Sequence, residues 1–190
     1  MTPPTPPGRT PGIRRFLRLL DGYEQTFPEE AATIARFRRL AEKPDAFFRT
    51  CRPGHFTASA LVVDESRRRV LLVKHRKLGI WVQPGGHADG EPDLLSAAVR
   101  ETEEETGLAG CGSDGAVLDL DIHPIPARPG EGAHDHYDVR FLLIGDPSRP
   151  LIVSDESDDV RWISVGDLPI YTEEESMRRL LRKAGAPPPI

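Results

Sequence analysis

The chain of 190 residues has little cysteine, little aromatic content and no long apolar run. Its two cysteines, Cys51 and Cys111, are too few for a disulfide scaffold, so we expect free thiols in a reducing compartment. No apolar segment approaches the roughly 20 residues that a membrane-spanning helix needs. Residues 1–7, MTPPTPP, lack the apolar core of a signal peptide. We therefore expect a cytoplasmic protein without a membrane segment.

An excess of positive charge is also absent. The net charge is −5 at pH 7, from 25 Lys and Arg residues against 30 Asp and Glu residues. Proteins that hold long polyanions do so through clustered cations, and no basic stripe of that kind is visible. This charge balance argues against nucleic acid as a partner. It leaves open a local basic pocket for a small anion.

Proline, with 19 copies, is the residue type in which the chain is rich. Residues 1–11 consist mainly of Pro, Thr, Gly and Arg and are predicted to form a disordered tail. Residues 186–190 are predicted to form a second proline-rich tail. Between these tails we predict two parts, an N-terminal helical extension at 12–50 and a main domain at 51–185.

The extension shows apolar residues at helical spacing in two short segments. The first helix is predicted to end near Asp21 and Gly22, and the second to begin after Pro28, which suits the first turn of a helix. The apolar stripe of this hairpin must be buried either on the main domain or on a second copy of the chain. A homodimer through these helices is thus one of two expectations.

The main domain alternates short segments typical of strands with one long helical segment. The predicted strands are Phe56 to Asp64, Arg69 to His75, Trp81 to Gln83, Ala116 to Ile122, His136 to Ile144 and Val160 to Ile163. A proline-rich loop is predicted at 123–130. The order is mixed and shows no repeating βαβ period, so the pattern favours an α+β or α/β/α sandwich, with a mixed sheet flanked by helices, over a Rossmann sheet.

The long helical segment ends in an acidic run. Asp93 is a good N-cap for it, and Gly85 and Gly86 precede it in a turn. Glu101, Glu104 and Glu105 are spaced i, i+3, i+4, which places three carboxylates on one helix face. Like charges so close repel one another, and a divalent cation such as Mg²⁺ would neutralise them. The alternative is a solvated acidic helix end without a ligand.

The stretch from Gly86 to Leu108 resembles the sequence box of the Nudix hydrolase family. That box is Gly, five residues, Glu, seven residues, Arg-Glu, an apolar residue, any residue, Glu-Glu, any residue, Gly and an apolar residue. Gly86, Arg100, Glu101, Glu104, Glu105, Gly107 and Leu108 fall at the expected places. Two positions depart from it: Pro92 stands where the first Glu is expected, with Glu91 one residue early, and Thr102 stands at the first apolar place.

The resemblance implies a Nudix-type mixed sheet and a hydrolase that cleaves the diphosphate bond of a nucleoside diphosphate linked to another moiety. It implies Mg²⁺ or Mn²⁺ as cofactor, held by Glu101, Glu104, Glu105 and the carbonyl of Gly85. Glu101, Glu104 and Arg100 are then the expected catalytic residues, with one carboxylate acting as base and Arg100 orienting Glu101. A (deoxy)nucleoside triphosphate pyrophosphatase and a non-catalytic nucleotide-sensing domain are the alternatives.

Further candidates for substrate binding lie outside the acidic run. Lys74 and Arg76 could neutralise phosphate charge, or could be solvated strand charges. His87 directly follows the glycine turn and could face the substrate.

A polar strand face supplies the remaining candidates, His136, Asp138 and Arg140, which alternate along one strand and could line a pocket. The alternative is a polar edge-strand face. A zinc site from His134 and His136 would lack further Cys or His at good spacing. His55 is predicted to be structural.

Overall fold

The computed structural model describes residues 11–128 and 130–188. Within these ranges the helices are α1 (Pro11–Thr26), α2 (Ala31–Leu40), α3 (Leu94–Thr106), α4 (Leu168–Tyr171) and α5 (Glu175–Lys183). The strands are β1 (Gly54–Val63), β2 (Arg69–His75), β3 (Trp81–Val82), β4 (Gly85–His87), β5 (Val117–Ile125), β6 (His134–Ile144) and β7 (Ser157–Ser164).

All seven strands belong to one mixed sheet. Its order is β3-β2-β1-β6-β5, with β4 also paired to β1 and β7 paired to β2. β1 and β6 run parallel, whereas β4 is antiparallel to β1 and β5 is antiparallel to β6. The central strand β1 therefore contacts both the short strand before α3 and the polar strand β6.

Helices cover both faces of this sheet. Phe56, Ala58, Ala60 and Val62 of β1 lie in one apolar cluster with buried residues of α1, α2 and α3. Leu61 and Val63, which point to the other face, lie in a second cluster with buried residues of α4 and α5. The alternation follows from the two-residue period of a strand. The predicted α/β/α sandwich is confirmed.

The N-terminal helices are buried against the same chain. Phe16 of α1 and Phe37 of α2 are both buried, and their rings lie 4.9 Å and 6.0 Å from the ring of Phe56, measured between centroids. This packing accounts for the apolar stripe of the hairpin within one copy. A homodimer through these helices stays a prediction.

Several predicted boundaries are wrong, and β1, β6 and β7 begin two or three residues earlier than predicted. α1 does not end at Asp21–Gly22 but continues to Thr26, because Tyr23 extends its buried face beyond the glycine. β5 continues beyond Ile122 to Ile125, into the segment predicted as a loop. It contains Pro124, which an edge strand tolerates because one side of its ladder is unpaired.

Most of the predicted tail residues lie outside the described part of the chain, namely 1–10, 189 and 190. Pro11 begins α1, and residues 186–188 are described and are not helical. Of the described helices, none is both long and apolar enough to cross a membrane. Cys51 is buried, Cys111 is half-buried, and both are free thiols.

Candidate active site

The acidic helix α3 is fixed at both ends by local signals in its sequence. The Asp93 side chain accepts a hydrogen bond from the backbone N–H of Ser96 at the N-terminus. Gly107, with φ of +71°, ends the helix in the left-handed conformation. Thr102 is buried where the box expects an apolar residue, and its hydroxyl donates to the Ala98 carbonyl at 2.8 Å. The threonine therefore enters the core without an unpaired hydroxyl.

Gly85 and Gly86, which are predicted as a turn, instead form the start of strand β4, where they allow the helix carboxylates to approach the main chain. The N–H of Gly85 donates a hydrogen bond of 2.9 Å to Glu105 Oε2. A Cβ added at Gly86 would lie 2.5 Å from Glu101 Oε2, and one added at Gly85 would lie 2.3 Å from Ser59 Cβ. Neither position has room for a side chain. The Gly-Gly pair is therefore required by the close packing of β4 between α3 and β1.

Arg100 connects Glu101 to β4. One guanidinium nitrogen, Nη2, donates to Glu101 Oε1 at 2.7 Å and to the carbonyl of His87 at 2.8 Å. Glu104 lies further out, with its side chain 63% exposed against 16% for Glu101, and its Oε1 lies 3.8 Å from Arg100 Nε. The three carboxylates thus range from the protein interior to its surface.

The surroundings of Glu101 and Glu105 disfavour the ionised form of both carboxylates. Burial raises the pKa of Glu101 against the opposing effect of Arg100, and Glu104 adds to the increase. Burial raises the pKa of Glu105 to about 7, opposed by the N–H of Gly85 and reinforced by Glu101 and Glu156. Clustered, partly desolvated carboxylate oxygens are the donor set that fits a hard divalent cation such as Mg²⁺ or Mn²⁺.

Glu156 is an acid near this cluster that the sequence did not indicate. It precedes β7 and reaches the neighbourhood of Glu105 because β7 pairs with β2, where the backbone N–H of Arg76 donates to the Glu156 carbonyl at 3.1 Å. No local pattern marks it.

The departure of the box at Pro92 coincides with the docking of α1. A Cβ added at Gly12 of α1 would lie 2.4 Å from Pro92 Cγ, and Arg15 of α1 forms an ion pair with Asp93. Glu91 accepts a hydrogen bond of 2.7 Å from the backbone N–H of Asp93. The loop therefore contacts the N-terminal helix where the family pattern has an acid.

Of the two basic candidates on β2, Arg76 is turned toward β7. Its Nε lies 3.0 Å from Asp158 Oδ1, and its Nη2 donates to the Ser157 carbonyl at 2.8 Å. These contacts fit the alternative of a solvated strand charge, and a role of Arg76 in phosphate binding stays a prediction. Lys74 is paired in the sheet with Trp81 of β3 and Asp159 of β7, and its substrate role stays a prediction.

Asp138 and Arg140 do not line a pocket, in contrast to the prediction. Both are buried, and Arg140 Nε donates to Asp138 Oδ2 at 2.8 Å. Asp138 also accepts hydrogen bonds from the hydroxyls of Thr57 and Ser59. Their polar atoms are satisfied inside the protein, so their role is structural.

This pair is part of a partly buried charge network that the sequence did not reveal. Its further members are Asp119 and Asp121 of β5, Arg179 and Lys183 of α5, and Glu30 and Tyr23 near the N-terminal hairpin. Lys183 contacts Asp119 at 2.7 Å and also Glu30. The network ties the last helix and the N-terminal helices to the edge of the sheet.

His87 and His136 lie together with His55, although they come from three separate strands. Ring centroids lie 5.2 Å apart for His55 and His87, 4.9 Å for His55 and His136, and 5.2 Å for His87 and His136. Burial lowers the pKa of all three, that of His55 to about 4. From the sequence, His55 is predicted to be structural, because the sequence does not reveal the register that pairs β1 with β4 and β6.

Comparisons with known proteins agree with this architecture. A family model described as the NUDIX domain matches residues 53–184. Over 125 residues the chain is 30% identical to a Bacillus subtilis (strain 168) protein named "Putative 8-oxo-dGTP diphosphatase", covering 65% of this chain and 75% of that protein. Among solved structures, a MutT NUDIX hydrolase from Burkholderia pseudomallei matches with a TM-score of 0.52 and 26% identity, over 68% of this chain and 97% of that one.

A further relative is much longer than the matched region. The chain is 33% identical over 91 residues to an m7GpppN-mRNA hydrolase from Xenopus laevis. The match covers 45% of this chain and 31% of that protein. The chain thus spans under a third of that relative's length.

Proposed function

The chain belongs to the NUDIX family, as its box predicted, and on that premise we propose that this hydrolase cleaves a diphosphate bond with the help of Mg²⁺ or Mn²⁺. The proposed substrate is a nucleoside diphosphate linked to another moiety. One observation carries the proposal: Glu101 and Glu105 converge on the main chain of Gly85 and Gly86 at the family's spacing.

The residues that would hold the ion are Glu101, Glu104, Glu105 and the carbonyl of Gly85. When bound, such an ion polarises a phosphoryl oxygen and lowers the pKa of a coordinated water. Arg100 keeps the Glu101 carboxylate in place, and the N–H of Gly85 does the same for Glu105. The absence of a side chain at Gly86 leaves room for the Glu101 carboxylate beside β4.

Glu104 is our candidate for the general base. Its side chain is more exposed than that of Glu101. The Glu101 carboxylate, by contrast, is held by a direct hydrogen bond from Arg100. A base must reach the attacking water within hydrogen-bond distance, and a largely exposed carboxylate with only a long contact to Arg100 can do so. Glu101 then acts mainly by holding the ion.

A nucleoside triphosphate pyrophosphatase is the second candidate, because the Bacillus subtilis relative is named for that type of reaction. The reaction products distinguish these two candidate activities. A triphosphate would give pyrophosphate and a nucleoside monophosphate. A linked diphosphate would give a nucleoside monophosphate and a phosphorylated partner. A capped messenger RNA is disfavoured by the net charge of −5.

The test is a screen of the full chain with Mg²⁺ and with Mn²⁺ over nucleoside diphosphate sugars, dinucleoside polyphosphates, ADP-ribose-like compounds and nucleoside triphosphates. For the best substrate, Glu104→Gln is expected to lower kcat by at least about 100-fold, the usual contribution of a positioned base. Glu103→Gln is the matched control, because it makes the same change one residue earlier, on the exposed side of α3.

Unchanged turnover in Glu104→Gln, with the Glu103→Gln control also active, would show that the site is assigned wrongly. Tight nucleotide binding with no hydrolysis of any compound in the screen would instead identify a nucleotide-sensing domain. Circular dichroism of both variants establishes that neither result comes from unfolding.

We also propose a cytoplasmic location. Both cysteines of the chain are free thiols, which suits a reducing compartment. Fractionation of cells that produce the untagged full-length protein tests this, and recovery outside the cytoplasm would contradict it.

A further inference from the structure

Five of the six histidines of the chain lie on one face of the sheet. His136 of β6 is paired with His55 of β1 on one side and with His123 of β5 on the other. His87 of β4 is paired with Thr57, which shares the face of His55. His134 precedes His136 by two residues and therefore points the same way. The sheet register thus assembles a histidine cluster from four strands.

We propose that His55, His87 and His136 form a binding site for a transition-metal ion of the Zn²⁺ type, separate from the carboxylate site. One ring nitrogen from each of the three lies within 4.8 Å of the others. Two nitrogens that share a tetrahedral zinc ion at 2.0–2.1 Å are about 3.4 Å apart. Small side-chain rotations bring the three rings to that spacing, since His87 and His136 are only half-buried.

His55 provides an independent indication of a ligand. Its side chain is fully buried, and the backbone of Cys51 is near the ring, but neither Nδ1 nor Nε2 reaches hydrogen-bond geometry with any described residue. A buried polar atom without a partner typically costs about 1–3 kcal/mol. A metal ion bound to one of these nitrogens would remove that cost for it. The centroid of the ring also lies 5.2 Å, 5.0 Å and 4.9 Å from those of His87, His134 and His136.

The ring of His134 has one nitrogen hydrogen-bonded to a backbone carbonyl, which is the usual arrangement of a histidine that binds a metal ion through its other nitrogen. Its Nδ1 lies 2.9 Å from the carbonyl of Gly132, so Nδ1 carries the proton and Nε2 keeps its lone pair. Nε2 lies 3.3 Å from Nε2 of His136, close to the separation of two nitrogens on one ion. His134 is therefore the nearest donor for the fourth position, which water would otherwise occupy.

The donor chemistry distinguishes this site from the carboxylate site. Imidazole nitrogens favour Zn²⁺, Ni²⁺ and Co²⁺, whereas carboxylate oxygens favour Mg²⁺ and Mn²⁺. The two sites also lie on opposite faces of β4. Gly86 faces Glu101, and the next residue, His87, points to the other face, where Thr57 and His55 lie. One strand thus separates two sets of ligands.

The test uses Co²⁺ as the probe, because its visible absorption reports ligand type and coordination number. The full chain without a histidine tag is treated with a chelator and then kept in excess Mg²⁺, which occupies the carboxylate site. We expect one equivalent of Co²⁺ to bind with intense, low-coordinate bands. X-ray absorption of the same sample should show at least three imidazole ligands.

His136→Asn is expected to weaken Co²⁺ binding by at least about 100-fold, since even residues around a metal site change affinity by 10–100-fold. His87→Asn, at a half-buried position, should do the same and serves if the first variant does not fold. His75→Asn is the control, because His75 lies on β2 outside the cluster. Glu104→Gln must also keep the Co²⁺ spectrum.

Three results would overturn the proposal. One is the absence of stoichiometric Co²⁺ binding by the folded chain. Another is binding that persists unchanged in both His136→Asn and His87→Asn. The third is loss of the spectrum in Glu104→Gln, which would place Co²⁺ on the carboxylates. None of these results depends on hydrolysis, so the histidine site is tested independently of the proposed reaction.

Discussion

The guanidinium of Arg100 donates a hydrogen bond of 2.7 Å to the carboxylate of Glu101, its neighbour in the chain. Consecutive residues of a helix do not normally face each other, so this contact needs a reason. The same nitrogen also donates to the His87 carbonyl at 2.8 Å, which draws the arginine toward β4. Arg100 thereby fixes Glu101 relative to β4, the strand that carries Gly85 and Gly86.

Replacement of this arginine tests the arrangement. Arg100→Lys keeps the charge but loses the planar group that reaches both acceptors. We expect kcat for the best substrate to fall by about 10–100-fold, with KM nearly unchanged, because Arg100 acts through Glu101 and not on substrate. Steady-state kinetics measure both constants, and Arg18→Lys on the exposed face of α1 is the control. A rise in KM alone would instead indicate contact with substrate.

The second prediction concerns Gly86. In Gly86→Ala the added Cβ would lie 2.5 Å from Glu101 Oε2, so the carboxylate must move from its place beside β4. We expect at least about a 10-fold loss of kcat, since small displacements at a reacting centre reduce rates strongly. Gly132→Ala is the control, because a Cβ there meets no atom within 4 Å. Equal activity of the two variants would show that Glu101 tolerates displacement.

The carboxylate cluster could be predicted because its information is local. Glu101, Glu104 and Glu105 lie within five residues of one helix, and the glycines that receive them come at most 20 residues earlier. The helical period alone places the three acids on one side. Their unequal exposure could not be predicted, because it depends on how α3 is seated on β1 and β4.

The histidine cluster and the charge network could not be predicted for the opposite reason. His55 and His136 are 81 positions apart and meet through the register of two parallel strands. Arg140 forms ion pairs with acidic residues of β5 as well as of β6. Periodicity shows which residues of a strand share a face, but not which strand lies beside it. For that reason a pocket was predicted where the structure has buried ion pairs.

Gly22 was predicted to end α1, and its position within the helix gives a stability prediction. A Cβ at Gly22 meets no atom within 4 Å, and the helix continues to Thr26. Gly22→Ala should raise the free energy of unfolding by about 0.5–1 kcal/mol, because alanine loses less backbone entropy in a helix. Urea unfolding monitored by circular dichroism measures this change.

Gly107→Ala provides the contrasting case for the same experiment. Gly107 has φ of +71°, and a Cβ there would lie 2.8 Å from Ile152 Cγ1. This variant should lose more than about 1 kcal/mol of stability, from left-handed strain together with the steric clash. Destabilisation by Gly22→Ala would mean that α1 has a break at Asp21–Gly22 after all.

The last prediction concerns the dependence of stability on pH. Burial alone would raise the pKa of Asp121, but His123, Arg140 and Arg179 together hold it well below its usual value. The folded chain therefore keeps this carboxylate ionised at pH values where the unfolded chain, with a pKa of about 3.9, takes up a proton. Its contribution to stability is present above that value and is lost as the pH falls toward the folded pKa.

Asp121→Asn should cost about 3 kcal/mol at pH 7, because it leaves two arginines without one of their acids. Between about pH 5 and pH 2 the difference between wild type and variant should shrink, since only the wild type loses the ionised group. Urea unfolding at several pH values measures this difference in the free energy of unfolding, and Asp155→Asn at an exposed position is the control. A difference that stays constant down to pH 2 would mean that Asp121 has the same pKa in both states and that the variant destabilises through packing alone.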